Sequence, residues 1–326
     1  ACRAKSAPAV PSAACALQQS YVKVVKAVRP SVVQVTDSTG LGSGIVYDNR
    51  GDIVTNDHVV GSAQTFSVQF VSGRVAKATL VGAFPPDDLA VVRVKGVPAS
   101  SLEAAHFANS DDLAIGDIVM AIGNPLALSS SVTSGIISAL NRYVPEPANG
   151  STAGAVLANA IQTSAPINPG NSGGALVDLA AQVVGIPTLA AQDPEIGGAA
   201  VGIGFAIPSN TVTDIAGQIV RYGHVVHSHR AELGIYASQA YSPAGQDAGV
   251  GIGALTSPSS PAGKAGLRAG DVIVAIGSTE VTSVTQLTTI LAHDRPGQTV
   301  KVSFLRPDGT KSSVAVKLGA LPGGAK

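Results

Sequence analysis

A glycine-rich run around Ser172 has the clearest capacity for chemistry in this sequence. The run reads GNSGG and begins at Gly170. Glycines let a backbone turn sharply and expose its amides, so Ser172 is a candidate nucleophile. The amides of Gly170 and Ser172 are then candidate donors to an oxyanion. Taken alone, such a run more often only joins two strands in a turn.

His58 and Asp88 are the candidate partners of this serine. A serine hydroxyl is a poor nucleophile until an imidazole takes its proton. His58 follows a short apolar run at an expected strand end, where a rigid backbone holds a catalytic group well. Asp88 directly precedes the apolar run Leu89–Val94, so we expect it half-buried beside the imidazole, with Asp87 as its solvated neighbour. The alternatives are a histidine that only satisfies local backbone groups and aspartates of an ordinary turn.

The chain order of these residues separates two kinds of hydrolase. The run GNSGG also fits the G-x-S-x-G elbow of α/β-hydrolases, in which the acid and the histidine follow the serine, and the serine joins a strand to a helix. Here His58 and Asp88 precede Ser172, and a strand is expected directly after it. The order therefore disfavours the α/β-hydrolase.

Composition predicts a mainly β protein. Of 326 residues, 45% are hydrophobic, 13% are charged and the formal net charge is +0, which leaves no basic surface for nucleic acid. The 37 glycines and 20 prolines, with many Val and Ile, indicate short strands joined by turns. Many closely spaced strands without helices between them favour a barrel or a sandwich.

The beginning of the sequence leaves several possibilities open. No run of 18 apolar residues and no signal-peptide pattern is present, so we expect a cytosolic protein or the mature or trimmed form of a secreted or tethered one. Cys2 and Cys15 are the two cysteines. They can pair, and Cys2 can carry a lipid, but the expectation is a free or incidental cysteine.

The pattern along the chain predicts two folded domains. Residues 1–20 are expected to be a flexible tail, although helical spacing already begins at Leu17 and ends at Pro30. We place the first domain at 21–222 and predict that it ends in a helix over Ser209–Tyr222, capped by Ser209. The other predicted segments are a linker at 223–230, a small α+β domain at 231–320 and a tail at 321–326.

Six motifs make the chain resemble the HtrA (high-temperature-requirement) family of serine proteases. They are the Ser172 run and, in the family's order, GSGIV from Gly42, TNDHV from Thr55, DLAV from Asp88, AIGNP from Ala121 and GIGFAIP from Gly202. The resemblance implies a chymotrypsin-like double β-barrel followed by a PDZ domain. It also implies a triad of His58, Asp88 and Ser172, with Gly170 and Ser172 amides as the oxyanion hole.

The resemblance further implies where the substrate side chain binds. Ile167 and Ile203 occupy positions that help to line the primary pocket in the family, so a shallow apolar pocket for small aliphatic side chains is expected. Ser164 stands where the family usually has aspartate, Ala175 where it has proline and Asp57 where it often has asparagine. The lost charge at Ser164 is expected to alter how the activation loops pack.

The second domain is similar to an HtrA PDZ domain around its first residues. The run from Arg230 to Ile235 resembles the loop that binds a peptide's terminal carboxylate. Successive amides at Leu233, Gly234 and Ile235 would receive that carboxylate, and the strand edge would pair with the peptide backbone. A helix over Ser283–His293 would form the other wall of the groove. A purely structural domain is the alternative.

By resemblance, the chain is expected to be an endopeptidase of unfolded or misfolded extracytoplasmic proteins, regulated by C-terminal peptides at the PDZ domain. The expected location is the periplasm or cell envelope, with a membrane tether outside this sequence left open, and the expected assembly is a homotrimer. No cofactor or metal is expected, because His224, His227 and His229 lie on a connector without a supporting ligand. A PDZ scaffold or chaperone with an inactive protease domain is the alternative function.

Overall fold

The computed structural model describes residues 12–38, 40–124, 131–145, 156–168, 170–193, 198–242 and 245–323. Side chains at 189–193 and 198–201 are not described. Contacts divide the described chain into two compact units, the first up to Arg142 and from Asn159 to His224, the second from Tyr143 to Ala158 and from Val225 onward. The domain boundaries given by the sequence remain predictions.

The first six strands close into an antiparallel barrel. They are β1 (Val32–Thr36), β2 (Leu41–Val46), β3 (Asp52–Thr55), β4 (Thr65–Gln69), β5 (Val75–Phe84) and β6 (Leu89–Val94). Their order around the barrel is β1-β2-β3-β6-β5-β4. The interior is filled with β-branched and small side chains such as Val33, Ile53 and Val92, none of which is exposed. This packing fixes the ends of β3 and β6, from which two of the candidate residues project.

A second set of six strands closes into another barrel. They are β7 (Ile118–Gly123), β8 (Ser131–Pro145), β9 (Val156–Thr163), β10 (Ala175–Val177), β11 (Val183–Asp193) and β12 (Gly198–Pro208). Their order is β10-β11-β12-β9-β8-β7, with Val119, Ile137, Ile161, Leu176 and Val184 in the core. The predicted mainly β fold is confirmed.

Two hairpins of the second barrel are longer than the sequence pattern predicts. The sequence indicates a strand over Val132–Ala139, whereas β8 runs on to Pro145, and β11 and β12 likewise extend beyond the predicted Ile186 and Ile203. Most of β8 is only partly buried. Since strand prediction depends on one buried face, such arms give a weak alternating signal.

Three helices belong to the first unit: α1 (Ser12–Val28), α2 (Asp57–Val60) and α3 (Ser209–Tyr222). α1 begins five residues before the predicted Leu17. The predicted cap of α3 is wrong, because Pro208 is the N-cap and Ser209 instead donates its hydroxyl to the Ala108 carbonyl at 2.7 Å. The prediction of a free cysteine is also wrong, because Cys15 is disulfide-bonded. The chain's other cysteine, Cys2, lies outside the described residues.

The second unit, as far as it is described, contains an antiparallel sheet and two helices. The elements are β13 (Ala231–Glu232), β14 (Ile235–Tyr241), β15 (Asp247–Leu255), α4 (Pro261–Lys264), β16 (Val272–Ile276), β17 (Thr279–Glu280), α5 (Val284–His293), β18 (Thr299–Leu305), β19 (Lys311–Lys317) and β20 (Gly319–Ala320). The sheet order is β14-β15-β16-β18-β19, with β17 on β16 and a separate β13-β20 pair. Within the described sheet, β14 is therefore an edge strand.

Candidate active site

His58 lies in α2, one helical turn that follows β3 directly. Asn56 has the extended backbone of an N-cap, but its side chain does not cap the helix. It donates from Nδ2 to the Asp88 carbonyl oxygen at 3.0 Å instead. The end of β3 is thus tied to the start of β6, so His58 and Asp88 are positioned by the same pair of strands.

The Asp88 carboxylate holds the His58 ring in one orientation. His58 Nδ1 lies 2.9 Å from Oδ2 and 3.0 Å from Oδ1, and the His58 amide donates to Oδ1 at 3.0 Å. Asp88 is 2% exposed and has a left-handed backbone with φ of 48°, an uncommon conformation that aspartate tolerates. Because the carboxylate accepts the Nδ1 proton, Nε2 becomes the basic nitrogen of the ring.

Asp87 does not lie in solvent as the sequence predicts. It is 6% exposed and ends a 3-10 turn over Pro85–Asp87 that directly precedes Asp88. The two prolines favour this compact turn between β5 and β6. Asp87 and Asp88 are therefore both buried, and the prediction that Asp87 is solvated is wrong.

Thr188, which no motif marks, contacts both the Asp88 carboxylate and the Ser172 hydroxyl. This residue of β11 is 3% exposed. Its hydroxyl donates to Asp88 Oδ2, and its carbonyl accepts the Ser172 hydroxyl at 2.9 Å. A single threonine inside an apolar strand carries no motif, so only the three-dimensional arrangement reveals the contact.

The loop that carries Ser172 is held through its backbone. The Asn171 amide donates to the Asn168 carbonyl at 3.0 Å, and the Gly173 amide donates to the Pro187 carbonyl at 3.1 Å. Among the described residues, the amides of Gly170 and Ser172 have no hydrogen-bond acceptor. Gly170 is buried, with φ of 102°. Two amides two residues apart are therefore left to bind an acceptor from outside the loop.

Ser43, in the middle of the GSGIV motif on β2, also contacts this loop. Its amide donates to the Ser172 carbonyl at 2.9 Å, and its hydroxyl donates to the Gly170 carbonyl at 2.6 Å. The sequence marked the motif for resemblance only and assigned no role to Ser43. The structure brings it together with the nucleophile loop across the two barrels.

The two predicted pocket residues have different surroundings. Ile167 is 7% exposed and packs on Gly204, where a Cβ atom would lie 2.4 Å from Ile167 Cγ1. Ile203 is 37% exposed on β12. Ser164 accepts the Ile136 amide on its hydroxyl at 3.0 Å and donates its own amide to the Ile136 carbonyl at 3.0 Å. Ser164 therefore ties the segment before the nucleophile loop to β8 without a charge.

The predicted carboxylate-binding loop lies between β13 and β14. Gly234 has φ of 71°, and its carbonyl accepts both the amide and the hydroxyl of Thr256, at 3.0 and 3.1 Å. Within the described part of the chain, the Leu233 and Gly234 amides have no acceptor. Ile235 begins the edge strand β14. The loop therefore offers amides beside a strand edge.

Arg230 has its own contacts next to this loop. Its guanidinium donates to the Val156 carbonyl at 2.7 Å, and its carbonyl accepts the Leu321 amide at 2.8 Å. The helix predicted over Ser283–His293 is α5, with Ser283 as the N-cap that accepts the Gln286 amide at 3.2 Å. The role of Arg230 in peptide binding remains a prediction.

Comparisons with known proteins decide the family. A model of the trypsin-like peptidase domain matches residues 42–186, and a model of the PDZ domain matches residues 232–318. The serine protease Do-like HtrA of Lactococcus lactis subsp. lactis is 38% identical, over 85% of this chain and 70% of that protein. The chain belongs to the HtrA family of serine proteases. The resemblance stated from its motifs is confirmed.

Other HtrA relatives agree with this assignment. Serine protease PepD of Mycobacterium tuberculosis is 37% identical, over 97% of this chain and 69% of that protein. Periplasmic serine endoprotease DegP of Escherichia coli K12 is 40% identical, over 85% of this chain. This chain covers only 56% of DegP and 58% of a related probable periplasmic protease of Haemophilus influenzae, so it spans little more than half of their length.

Solved HtrA structures share the fold. The HtrA-type protease AlgW with decapeptide is 31% identical, with a TM-score of 0.60, 93% of this chain covered and 99% of that one. The serine endoprotease from Yersinia pestis is 34% identical, with a TM-score of 0.60, covering 92% and 98% of the two chains. No helix among the described residues combines the length and apolar character needed to cross a bilayer.

Proposed function

We propose that this HtrA chain is a serine endopeptidase that cleaves peptide bonds through an acyl-enzyme. Ser172 is the nucleophile, His58 is the base and later the acid, and Asp88 orients the imidazole. The observation that carries the proposal is the link through Thr188, which contacts the carboxylate paired with His58 and the hydroxyl of Ser172. The proposed nucleophile, base and acid thus come from distant parts of the chain, as the members of such a triad commonly do.

Acylation begins with transfer of the Ser172 proton. In the structure the hydroxyl donates to the Thr188 carbonyl, so it must turn toward His58 Nε2 when substrate binds. Asp88 keeps the Nδ1 proton in place and stabilises the imidazolium that results. The ring is 35% exposed, so substrate can reach it from the open side. His58 then donates the proton to the leaving amine. In the second half of the reaction a water molecule gives a proton to His58 and attacks the acyl carbonyl, and His58 returns that proton to Ser172 as the acyl group leaves.

The oxyanion of the tetrahedral intermediate is bound by the Gly170 and Ser172 amides. Support comes from their lack of an acceptor among the described residues, together with the hydrogen bonds that fix the neighbouring amides. Donors that are already in place stabilise charge in the transition state without reorganising, and one such donor is typically worth about 10²–10³ in kcat.

The pocket is proposed to take small aliphatic side chains. Ile167 and Ile203 are both aliphatic, and no acidic side chain is expected among them to attract Lys or Arg. Peptides that differ only at the residue before the scissile bond test this proposal. Val or Ala should give the highest kcat/KM, and a preference for Arg or Phe would contradict it.

The second unit is proposed to bind C-terminal peptides and thereby to regulate the protease or to recruit its substrates. The free amides of Leu233 and Gly234, beside the edge strand β14, suit a terminal carboxylate and an added strand. AlgW is a related protease whose solved structures include peptides. Unfolded or misfolded proteins of the periplasm or cell envelope are the proposed substrates, as the relatives from Escherichia coli and Haemophilus influenzae are named periplasmic proteases. A homotrimer is the proposed assembly, to be checked by light scattering.

Casein cleavage tests the enzymatic proposal. The wild type, with and without hydrophobic C-terminal peptides, should degrade casein, and Ser172→Ala and His58→Ala should each lower the rate by at least about 10³-fold. Circular dichroism should show that both variants remain folded. If the wild type has no turnover under either condition, the alternative of a scaffold or chaperone replaces the protease.

A further inference from the structure

Ser43 uses every polar group it has, and two of the four hydrogen bonds described here go to the loop that carries Ser172. The amide donates to the Ser172 carbonyl, and the hydroxyl donates to the Gly170 carbonyl. The same hydroxyl accepts the Asn124 amide at 2.8 Å. The Ser43 carbonyl accepts the Thr55 hydroxyl at 2.6 Å. The side chain has no exposed surface, so these bonds act without competition from water.

The flanking glycines explain why this serine comes so close to both barrels. A Cβ atom at Gly42 would lie 2.6 Å from Val59 Cγ2, beside His58. A Cβ atom at Gly44 would lie 2.7 Å from Ile53 Cγ2. Larger residues at either position would push β2 away from its neighbours. The motif therefore places Ser43 between the helix of the base and the loop of the nucleophile.

Ser43 fixes two peptide groups that flank the candidate oxyanion donors. The peptide between Gly170 and Asn171 is held at its oxygen by Ser43 and at its nitrogen by the Asn168 carbonyl. The peptide between Ser172 and Gly173 is held at its oxygen by the Ser43 amide and at its nitrogen by the Pro187 carbonyl. The Ser172 amide lies between these two fixed planes, and the Gly170 amide precedes the first of them.

We propose that Ser43 is the positioning residue of the oxyanion hole: its hydroxyl holds the Gly170 carbonyl so that the Gly170 and Ser172 amides stay directed at the substrate oxygen. This inference rests on the proposed protease function. A glycine such as Gly170, with φ of 102°, rotates its adjoining peptides at little steric cost. Without the hydroxyl, the Gly170 carbonyl loses its side-chain anchor, and the adjoining peptides that carry the Gly170 and Ser172 amides gain freedom to rotate.

Kinetics of Ser43→Ala test the proposal. We expect kcat for a fluorogenic peptide to fall between about 10-fold and 10²-fold, which is less than loss of a whole donor, with KM changed by less than about twofold. The affinity for a peptide boronate, which forms a tetrahedral adduct with the serine, should fall by the same factor as kcat. Ser43→Cys, a weaker donor of similar size, should fall between wild type and Ser43→Ala.

Ser209→Ala is the matched control. Ser209 is equally buried in the same unit and also donates its hydroxyl to a backbone carbonyl, that of Ala108. Its loss should lower thermal stability but leave kcat and boronate affinity unchanged. If Ser43→Ala loses stability as Ser209→Ala does, yet keeps wild-type kcat and boronate affinity, Ser43 has only a structural role and the proposal is wrong.

Two further outcomes remain decisive. If Ser43→Ala does not fold, Ser43→Cys carries the test: a proportional loss of kcat and boronate affinity supports the proposal, and wild-type values overturn it. If the wild type itself neither turns over peptide nor binds boronate while Ser172→Ala behaves identically, the failure lies in the proposed protease function. These patterns separate an error about Ser43 from an error about the enzyme.

Discussion

Two loops in different units of this protein present backbone amides by the same means. The nucleophile loop turns at Gly170 and the loop before β14 turns at Gly234, both with positive φ. In each, a hydroxyl donates to the glycine carbonyl, from Ser43 in one and from Thr256 in the other. With the carbonyl held, neighbouring amides in each loop have no acceptor within the described residues.

The loops differ in how many groups hold that carbonyl. Gly234 is also bound by the Thr256 amide, and the preceding Leu233 carbonyl accepts the Ala262 amide. The Gly170 carbonyl, within the part of the chain described, has the Ser43 hydroxyl alone. The glycine of the loop before β14 is therefore anchored by backbone amides as well as by a hydroxyl, whereas the Gly170 carbonyl depends on one side chain. The loop proposed to bind a terminal carboxylate and the loop proposed to bind an oxyanion therefore differ in how many groups hold their glycine carbonyl.

Of the changes that test this comparison of the two loops, Gly173→Ala should have the largest effect. Gly173 has φ of 79°, and an added Cβ would collide with the Ser43 carbonyl oxygen, a backbone atom that cannot move aside. We expect casein cleavage to fall by more than about 10²-fold, with about 1–3 kcal/mol of strain lowering the free energy of unfolding. Gly234→Ala is the matched change, which should weaken peptide binding but spare cleavage of a short peptide. Wild-type activity in Gly173→Ala would contradict the tight approach of the loop to Ser43.

Thr188→Val should have the next largest effect. It removes the hydroxyl that donates to the buried Asp88 carboxylate but retains the carbonyl that contacts Ser172. Since hydrogen bonds to charged groups are worth about 1.5–3 kcal/mol, we expect kcat to fall by at least about 10-fold. Thr188→Ser keeps the hydroxyl and should stay near wild type. Equal kcat in all three proteins would show that the contact does not support the base.

Thr256→Val should have a small effect, in contrast to Ser43→Ala. The hydroxyl bond to the Gly234 carbonyl is lost, but the Thr256 amide still holds it. We expect affinity for a peptide with a free C-terminal carboxylate to fall by less than about threefold, as one neutral hydrogen bond contributes about 1 kcal/mol at most here. Isothermal titration calorimetry measures this affinity, with an amidated peptide as control. If peptide affinity falls by as large a factor as kcat falls in Ser43→Ala, the two glycine carbonyls do not differ in how firmly they are held.

The smallest effect concerns Glu232, directly before the carboxylate loop. Burial raises the pKa of Glu232 above its ordinary value of 4.5, because the charged form is disfavoured there. The folded state therefore favours the protonated form, and this contribution to stability is lost as pH rises from 4.5 through the higher folded pKa. Glu232→Gln should raise the unfolding temperature slightly at pH 7 and not at pH 4. Glu280→Gln, at an exposed position, is the control. If Glu232→Gln shifts the unfolding temperature equally at pH 4 and pH 7, the prediction is wrong.

The features that depend on neighbouring residues, such as helices, strands and the residues at their ends, were mostly predicted from the sequence. Triad candidates stood next to apolar runs that become β3 and β6, and α3 was found at its full length over Ser209–Tyr222. Contacts between distant segments were invisible in the sequence. Thr188 lies in an ordinary apolar strand and Ser43 inside a glycine motif, so neither residue type nor spacing reveals a partner 100 or more residues away. The full length of β8 was missed for a different reason. Only one of its residues is fully buried, so its sequence lacks the alternation of buried apolar and exposed polar residues from which strands are predicted.

The contact between Thr188 and Asp88 also bears on biosynthesis. A chain emerging from the ribosome presents its first barrel, complete at β6, well before β11 has been made. At that stage neither Ser172 nor the threonine that donates to the Asp88 carboxylate has been made. Under the proposed mechanism, hydrolytic competence therefore has to wait until the second barrel has closed.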